Sequence, residues 1–117
     1  MKPLERDAAH IWDMLEAARL AAELSKDTGL DQLLEDVRTR YAVERALEIV
    51  GEAARRVSEA TRDAHPEIPW AGIIGFRNLL ARRYGAIDYR RLYRVLQDGV
   101  PALVRELEAI LASIDER

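Results

Sequence analysis

The apolar residues of this chain recur at three- and four-residue steps, the spacing that places side chains on one face of an α-helix. The pattern predicts helices over residues 4–25, 30–36, 37–61, about 70–83, and from 89 past 111. The third is the clearest, with an apolar stripe of Val43, Leu47, Val50, Ala54 and Val57. No stretch alternates apolar and polar residues as a half-buried strand does. The sequence therefore predicts an all-α bundle of about five helices.

Glycine, proline and capping residues mark the ends of these predicted helices. Ser25–Gly29 and Asp63–Pro69 are loops by composition, and Pro69 suits the first turn of the fourth helix. Asp88 is a good N-cap for the fifth helix. Gly99–Pro101 should kink or break that last helix. In the short second helix, the pattern turns three leucines inward, namely Leu30, Leu33 and Leu34.

Composition narrows the classes of protein that fit this pattern. The 117 residues suit one domain spanning residues 1–117. The absence of cysteine excludes disulfides and thiolate metal sites, and is compatible with a reducing cytoplasm. No apolar run approaches the ~20 residues that cross a bilayer, and the N-terminus leads into a charged helix instead of an apolar signal region. We therefore expect a cytoplasmic protein without a membrane partner.

The densest polar cluster is the stretch Arg77–Tyr84, which reads Arg-Asn-Leu-Leu-Ala-Arg-Arg-Tyr. The net charge of the chain is −3, yet residues 77–94 hold six arginines and a single acid, Asp88. A basic patch on an acidic protein can still bind a phosphate backbone. The plainer interpretation is a solvated helix end whose arginines complement the C-terminal dipole.

Helix geometry separates the polar groups of this stretch. Because each residue turns roughly 100°, Tyr84 lies almost above Arg77, whereas Arg82 points roughly 140° away from Arg77. The two arginines can converge only if the helix unwinds near Gly85 or if a second copy of the chain supplies one of them. Gly85 is a plausible C-cap, since glycine accepts the left-handed conformation that ends helices.

Other catalytic patterns are missing from the sequence. It contains no Gly-rich phosphate loop, no His-x-x-x-His pair and no nucleophile elbow. The only histidines are His10 and His65, which excludes a His-rich metal site. Glu48 and Glu52 lie one helical turn apart and could bind a metal, although pairing with arginines is the simpler expectation. Any activity must come from arginines, carboxylates, an amide or tyrosines.

The chain resembles HepT-type proteins of the HEPN superfamily, the toxin half of HepT/MntA toxin–antitoxin pairs of type II or VII. The resemblance rests on four stretches, namely residues 36–43 (DVRTRYAV), 47–53 (LEIVGEA), 66–78 (PEIPWAGIIGFRN) and 84–88 (YGAID). It implies an up-and-down helical bundle that forms a homodimer. It further implies a metal-independent endoribonuclease that needs no cofactor, acts on tRNA or mRNA, and has its active site at the dimer interface.

The resemblance also assigns individual residues. The family signature is an arginine, then four to six residues, then histidine, with a tyrosine two residues later. Arg77 matches that arginine, Asn78 the polar residue after it, and Tyr84 the tyrosine. The MntA-type nucleotidyltransferase antitoxin inactivates such toxins by transferring AMP to the tyrosine, so Tyr84 is the candidate acceptor.

The family histidine falls at Arg82, and this departure bears on the chemistry. Histidine titrates near neutrality and can take the proton of the attacking 2′-hydroxyl, whereas arginine stays protonated and can only stabilise negative charge. We therefore expect Arg77, Asn78 and Arg82 to form the catalytic set and Arg83 to bind RNA phosphate, with weak or absent cleavage. Three accounts stay open: an impaired ribonuclease, a binding protein that has lost cleavage, and a dimeric module that docks a nucleotidyltransferase.

Overall fold

Two long helices, α1 (Pro3–Leu24) and α3 (Val37–Arg56), pack against each other at the centre of the molecule. The computed structural model describes residues 3–80 and 88–115, with side chains from 5 to 75 and from 88 to 114. Helix α5 (Trp70–Leu80) packs on α3, and α7 (Val100–Asp115) packs on α1. None of the described residues lies in a strand, which confirms the predicted all-α bundle. Over these same residues, no helix has both the length and the apolar character that a membrane span requires.

Three short helices complete the described part of the chain: α2 (Leu30–Glu35), α4 (Glu59–Ala64) and α6 (Tyr89–Arg94). A π-helical segment, Val95–Gly99, joins α6 to α7 without a break. If α6, this segment and α7 are counted as one helix, the described residues form six helices, which is one more than expected.

The core is a single cluster of apolar side chains contributed by α1, α2, α3, the start of α5 and the α6–α7 run, with Val57 and Ile68 from the segments between helices. Its fully buried members include Ile11, Met14, Leu15, Leu33, Val43, Leu92 and Leu107. The prediction for α2 is only partly right, because Leu33 is buried while Leu34 is 37% exposed. Leu33 lies on the side of α2 that faces the core, and the next residue is turned about 100° away from it.

The predicted end of the third helix, at residue 61, is wrong, because α3 stops at Arg56 and a separate helix, α4, follows. Val57 adopts an extended conformation, and Ser58 caps α4 by accepting a hydrogen bond from the Thr61 amide. Asp7 of α1 stabilises this interruption between α3 and α4. Its carboxylate accepts hydrogen bonds from the Ser58 amide at 2.9 Å, from the Ser58 hydroxyl at 2.6 Å and from the Thr61 hydroxyl.

The last helix does not break at Gly99–Pro101 but passes through the π-helical segment. Pro101 has no amide hydrogen and crowds the carbonyl four residues before it, which disfavours a regular α-helical turn at that position. The amide of Val100 bonds to the carbonyl of Val95, five residues earlier, and this widens the turn. The expected disruption therefore takes the form of one wide turn inside a continuous helix.

Candidate functional site

Helix α5 carries the first two residues of the predicted site near its described end. Arg77 and Asn78 lie in the last turn of Trp70–Leu80. Residues Arg82, Arg83, Tyr84 and Gly85 lie outside the described residues, as do the side chains of Arg77 and Asn78. The predicted convergence of Arg77 and Arg82, and the predicted helix C-cap at Gly85, therefore stay predictions.

The start of α5 is firmly anchored. The indole of Trp70 is buried, and its Nε1 donates a hydrogen bond of 2.9 Å to the carbonyl of His65. Ile68, in the loop before it, is fully buried, and the carbonyl of Pro69 accepts the Ile73 amide at 3.0 Å. These contacts confirm that the helix begins at Trp70, directly after Pro69.

His65, the only histidine near this helix in sequence, lies at the end opposite to Arg77. Its Nδ1 is 3.1 Å from a carboxylate oxygen of Glu67, so the ring already has a partner within the loop. From Trp70 to Arg77 the helix rises about 10 Å, and His65 precedes Trp70. The structure therefore offers no support for His65 as a substitute for the missing histidine.

The chain after the arginine-rich stretch is anchored as well. Asp88 caps α6, as predicted, because its Oδ1 accepts the amides of Arg90 and Arg91 at 3.1 Å each. The next residue, Tyr89, donates its hydroxyl hydrogen to Glu44 of α3 at 2.8 Å. Burial, and then the hydrogen bond to Glu44, raises the pKa of Tyr89. Helix α3 therefore contacts the chain on both sides of the predicted site.

An arginine–tyrosine cluster on this side of α3 went unnoticed in the sequence. The guanidinium carbon of Arg40 lies 5.6 Å from the ring centroid of Tyr41 and 5.4 Å from that of Tyr89. Arg40 also donates a hydrogen bond of 2.6 Å from Nη1 to the carbonyl of Leu34. The adjacent Arg40 and Tyr41 were visible in the sequence, but nothing in it indicated that Tyr89 would join them.

The acidic pair on α3 is occupied by an arginine of the same helix. Nη1 of Arg45 lies 3.3 Å from Glu48 and 3.4 Å from Glu52, which confirms the expected pairing with arginine. The hydrogen bond to Glu48 is the main reason that the pKa of Arg45 is raised. Among the described residues, no three histidine, aspartate or glutamate side chains are placed to hold a metal ion.

An apolar groove of about 410 Å³ lies beside the first half of α5. Leu47 and Val50 of α3, Ile73 of α5 and Leu103 of α7 contribute to its lining. The lining also includes two charged residues, Arg91 and Glu106, and neither forms an ion pair with another described residue. The groove is lined mainly by apolar side chains and offers few polar groups to a ligand.

Comparison with known proteins adds a family and several relatives. A family model described as "Ribonuclease HepT-like" matches residues 14–110. A Methanocaldococcus jannaschii protein, "Putative RNase MJ1380", is 37% identical over 102 residues, which cover 87% of this chain and 94% of that protein. A Thermococcus cleftensis protein, "Probable ribonuclease HepT", is 33% identical over 110 residues, covering 94% of this chain and 98% of that protein.

A second M. jannaschii protein, "Putative RNase MJ0127", is 31% identical over 107 residues, covering 92% of this chain and 88% of that protein. No solved structure matches the chain. The matched residues 14–110 include the whole arginine-rich stretch together with the helices that anchor it on both sides.

Proposed function

Because the chain belongs to the HepT-like ribonuclease family, we propose that it is a HepT-type, metal-independent endoribonuclease with a composite site at a dimer interface, impaired in this chain by Arg82. The observation that carries the proposal is the family match over residues 14–110, which spans every residue of the predicted site. The names of the three relatives, each described as a ribonuclease, support the same class of activity. Transfer RNA is the proposed substrate, with mRNA as the other candidate, and the cytoplasm is the proposed compartment.

The proposed roles follow from the chemistry of each side chain. Cleavage by the 2′-hydroxyl of RNA requires a base to accept its proton and donors to stabilise the negative charge that develops on the phosphate. Arg77, Arg82 and Arg83 supply positively charged donors, and the Asn78 amide supplies neutral ones. None of these four groups accepts a proton at neutral pH. The proposed site thus binds phosphate well and lacks an efficient base.

The proposed homodimer has a contact surface on the described part of the molecule. The apolar groove beside α5 is lined on one side by the helix that carries Arg77 and Asn78. In a two-fold dimer each surface meets its own copy, so Arg91 of one protomer can approach Glu106 of the other. Burial of this groove would bring the first halves of the two α5 helices together. Arg77 follows Ile73 by about one helical turn, a rise of about 6 Å.

Incubation of the purified chain with tRNA and with total RNA, beside an Arg82→His variant, tests the proposal. We expect slow cleavage or none by the unaltered chain and clear cleavage by the variant. If neither protein cleaves or binds RNA, the ribonuclease proposal fails. If both cleave equally, the assignment of Arg82 as the impairing residue fails.

The alternative is a dimer that binds RNA or a nucleotidyltransferase without cleaving, and the presence of Arg82 is what favours it. Because phosphate contacts release counterions, an RNA complex made by the arginines should weaken as salt rises. Binding that is salt-sensitive and lost in Arg77→Ala, without cleavage by Arg82→His, would favour the RNA-binding form. Absence of RNA binding together with a stable nucleotidyltransferase complex would favour the docking module.

We also propose that the chain is a toxin whose antitoxin is an MntA-like nucleotidyltransferase that adds AMP to Tyr84. Incubation with the cognate transferase and ATP should increase the mass of the chain in steps of one AMP. The added phosphates would pair with Arg77, Arg82 and Arg83 and compete with RNA for them. Tyr84→Phe should show no mass increase, whereas Tyr41→Phe, which removes an exposed phenol elsewhere, should still be modified. Modification that persists in Tyr84→Phe would contradict the assignment.

A further inference from the structure

Tyr41 is an exposed aromatic residue with one partner already in place. Its side chain is 60% exposed near the start of α3, although a tyrosine in a helical bundle of this size more often contributes its ring to the core. The guanidinium of Arg40 lies 5.6 Å from its ring centroid, which is within cation–π distance.

Arg40 contacts three different groups of the protein. Its guanidinium lies between the rings of Tyr41 and Tyr89 and donates to the carbonyl of Leu34 at 2.6 Å. Tyr89 is in turn fixed by its 2.8 Å hydrogen bond to Glu44. Since the planar groups are already ordered, a ligand that stacks on Tyr41 would lose little additional side-chain entropy.

A second exposed aromatic–arginine pair, on α1, provides a comparison. Trp12 is 49% exposed and has Arg19 at 6.0 Å from its ring, but Arg19 lies 3.7 Å from Glu16 and 3.2 Å from Glu108. Arg40 forms no ion pair with any described residue, and an acid on its own helical face, Glu44, lies one turn further along α3. The exposed ring of Tyr41 therefore lies beside an arginine without an ion pair among the described residues, whereas the arginine beside Trp12 is paired with two acids.

The surface at Tyr41 is also close to the predicted site along the chain. Tyr89, which contacts Arg40, follows Tyr84 by five residues, and five residues of chain span at most about 18 Å. Exposed arginines at positions 90 and 94 continue from Tyr89 along α6. An RNA strand held at the predicted site near Tyr84 could therefore reach this surface within a few nucleotides.

We propose that Tyr41 and Arg40 form a base-stacking subsite for single-stranded RNA, in which the exposed face of Tyr41 stacks on an unpaired base and Arg40 attracts the adjoining phosphate. This inference rests on the proposed action on RNA. Aromatic rings beside arginines are the usual means by which proteins hold unpaired bases without strong sequence preference. The exposed apolar residues Leu34 and Val37 lie near Tyr41 in sequence, which makes a protein partner the competing occupant.

Binding of a fluorescein-labelled 2′-O-methyl RNA oligonucleotide, measured by anisotropy, tests the subsite without cleavage, because the probe has no attacking hydroxyl. We expect Tyr41→Ala to raise the Kd about 10- to 100-fold, since one base–aromatic stack is lost. Tyr41→Phe keeps the ring and should bind normally. Trp12→Ala removes another exposed ring, one whose neighbouring arginine is paired with acids, and should leave the Kd unchanged.

The salt dependence of binding separates stacking from phosphate contact. Tyr41→Ala should weaken binding at every salt concentration without changing the slope of log Kd against log salt, because no phosphate contact is lost. If the chain binds the oligonucleotide and Tyr41→Ala behaves like Trp12→Ala, the subsite is disproved while the proposed ribonuclease function stands. If Tyr41→Ala spares RNA binding but prevents association with the nucleotidyltransferase, the surface is a protein contact and the RNA assignment is overturned. If neither the unaltered chain nor any variant binds RNA, both the ribonuclease proposal and the stacking subsite are disproved.

Discussion

Replacement of Arg82 with histidine is expected to raise cleavage of tRNA by about 10²- to 10⁴-fold, the range that a positioned general base contributes. The imidazole can accept the 2′-hydroxyl proton near neutral pH, whereas the guanidinium is always protonated. Cleavage is measured as the initial rate of product formation on labelled tRNA, with chelator present so that metal-dependent contaminants are inactive. The rate should also increase as pH rises through about 6.5, where histidine loses its proton.

Two matched variants make this result specific. Arg83→His introduces the same side chain one residue away, and because that position does not match the family histidine it should leave the rate low. Arg77→Ala combined with Arg82→His should lose the gained activity, because the proposed phosphate contact is gone. A rate for Arg83→His equal to that of Arg82→His would mean that any nearby imidazole suffices and that Arg82 has no special position.

Asp7→Asn is expected to destabilise the fold by roughly 2 kcal/mol, since hydrogen bonds to charged groups contribute more than neutral ones. Asp7 is 4% exposed, and its carboxylate accepts from the Ser58 amide and from the hydroxyls of Ser58 and Thr61. The amide of asparagine offers only one oxygen to these three donors. Thermal unfolding followed by circular dichroism should show a fall in Tm of about 10 °C.

The same carboxylate predicts a dependence of stability on pH. Burial alone would raise the pKa of Asp7, but the hydrogen bonds from Ser58 and Thr61 outweigh it and lower the pKa below its ordinary value. A group with a lowered folded pKa stabilises the native state above its unfolded pKa, about 3.9, and loses that contribution as pH falls through the folded value. When the pH is lowered from neutral to below about 4, the Asp7→Asn variant should therefore lose less stability than the unaltered chain does.

Asp13→Asn is the control for both measurements, because Asp13 lies on the same helix with an exposed side chain and no described hydrogen bond. Its effect should stay within about 0.5 kcal/mol, as for most surface substitutions. An equal loss of stability in the two variants would show that removal of negative charge from α1, and not the contact with Ser58, accounts for the change.

The sequence was sufficient to predict helix starts that depend on residues only a few positions away. Trp70 begins a helix because Pro69 precedes it, and Asp88 caps one through amides two and three residues later. The break at Val57 could not be predicted in this way, because the carboxylate that stabilises it lies 51 residues before Ser58. Leu34 shows the same limit, since the apolar pattern alone does not decide which of two adjacent leucines faces the core.

The candidate site likewise contains residues that the sequence alone could identify and a contact that only the fold reveals. Arg77, Asn78, Arg82, Arg83 and Tyr84 were identified because a family signature is a pattern of spacing, which the sequence displays directly. The contact of Arg40 with Tyr89 depends on how α6 lies against α3, so it became visible only with the fold. A partner that is distant in sequence leaves no periodic signal, whereas a motif confined to eight residues does.

The wide turn at Val95–Gly99 has a consequence for how the chain tolerates changes in length. The buried residues Leu92, Leu96 and Val100 succeed one another at two consecutive four-residue steps, which an ideal α-helix would carry about 80° off one face. The wide turn contains the surplus residue that brings Val100 back into line. Loss of one residue there, together with replacement of Pro101, would convert the turn to an ordinary one and keep the buried residues in line. The same deletion in α3 would rotate its buried stripe by about 100° toward water. Relatives that are one residue shorter should therefore have lost it in the former segment, in chains without this proline, and should not have lost it in the latter.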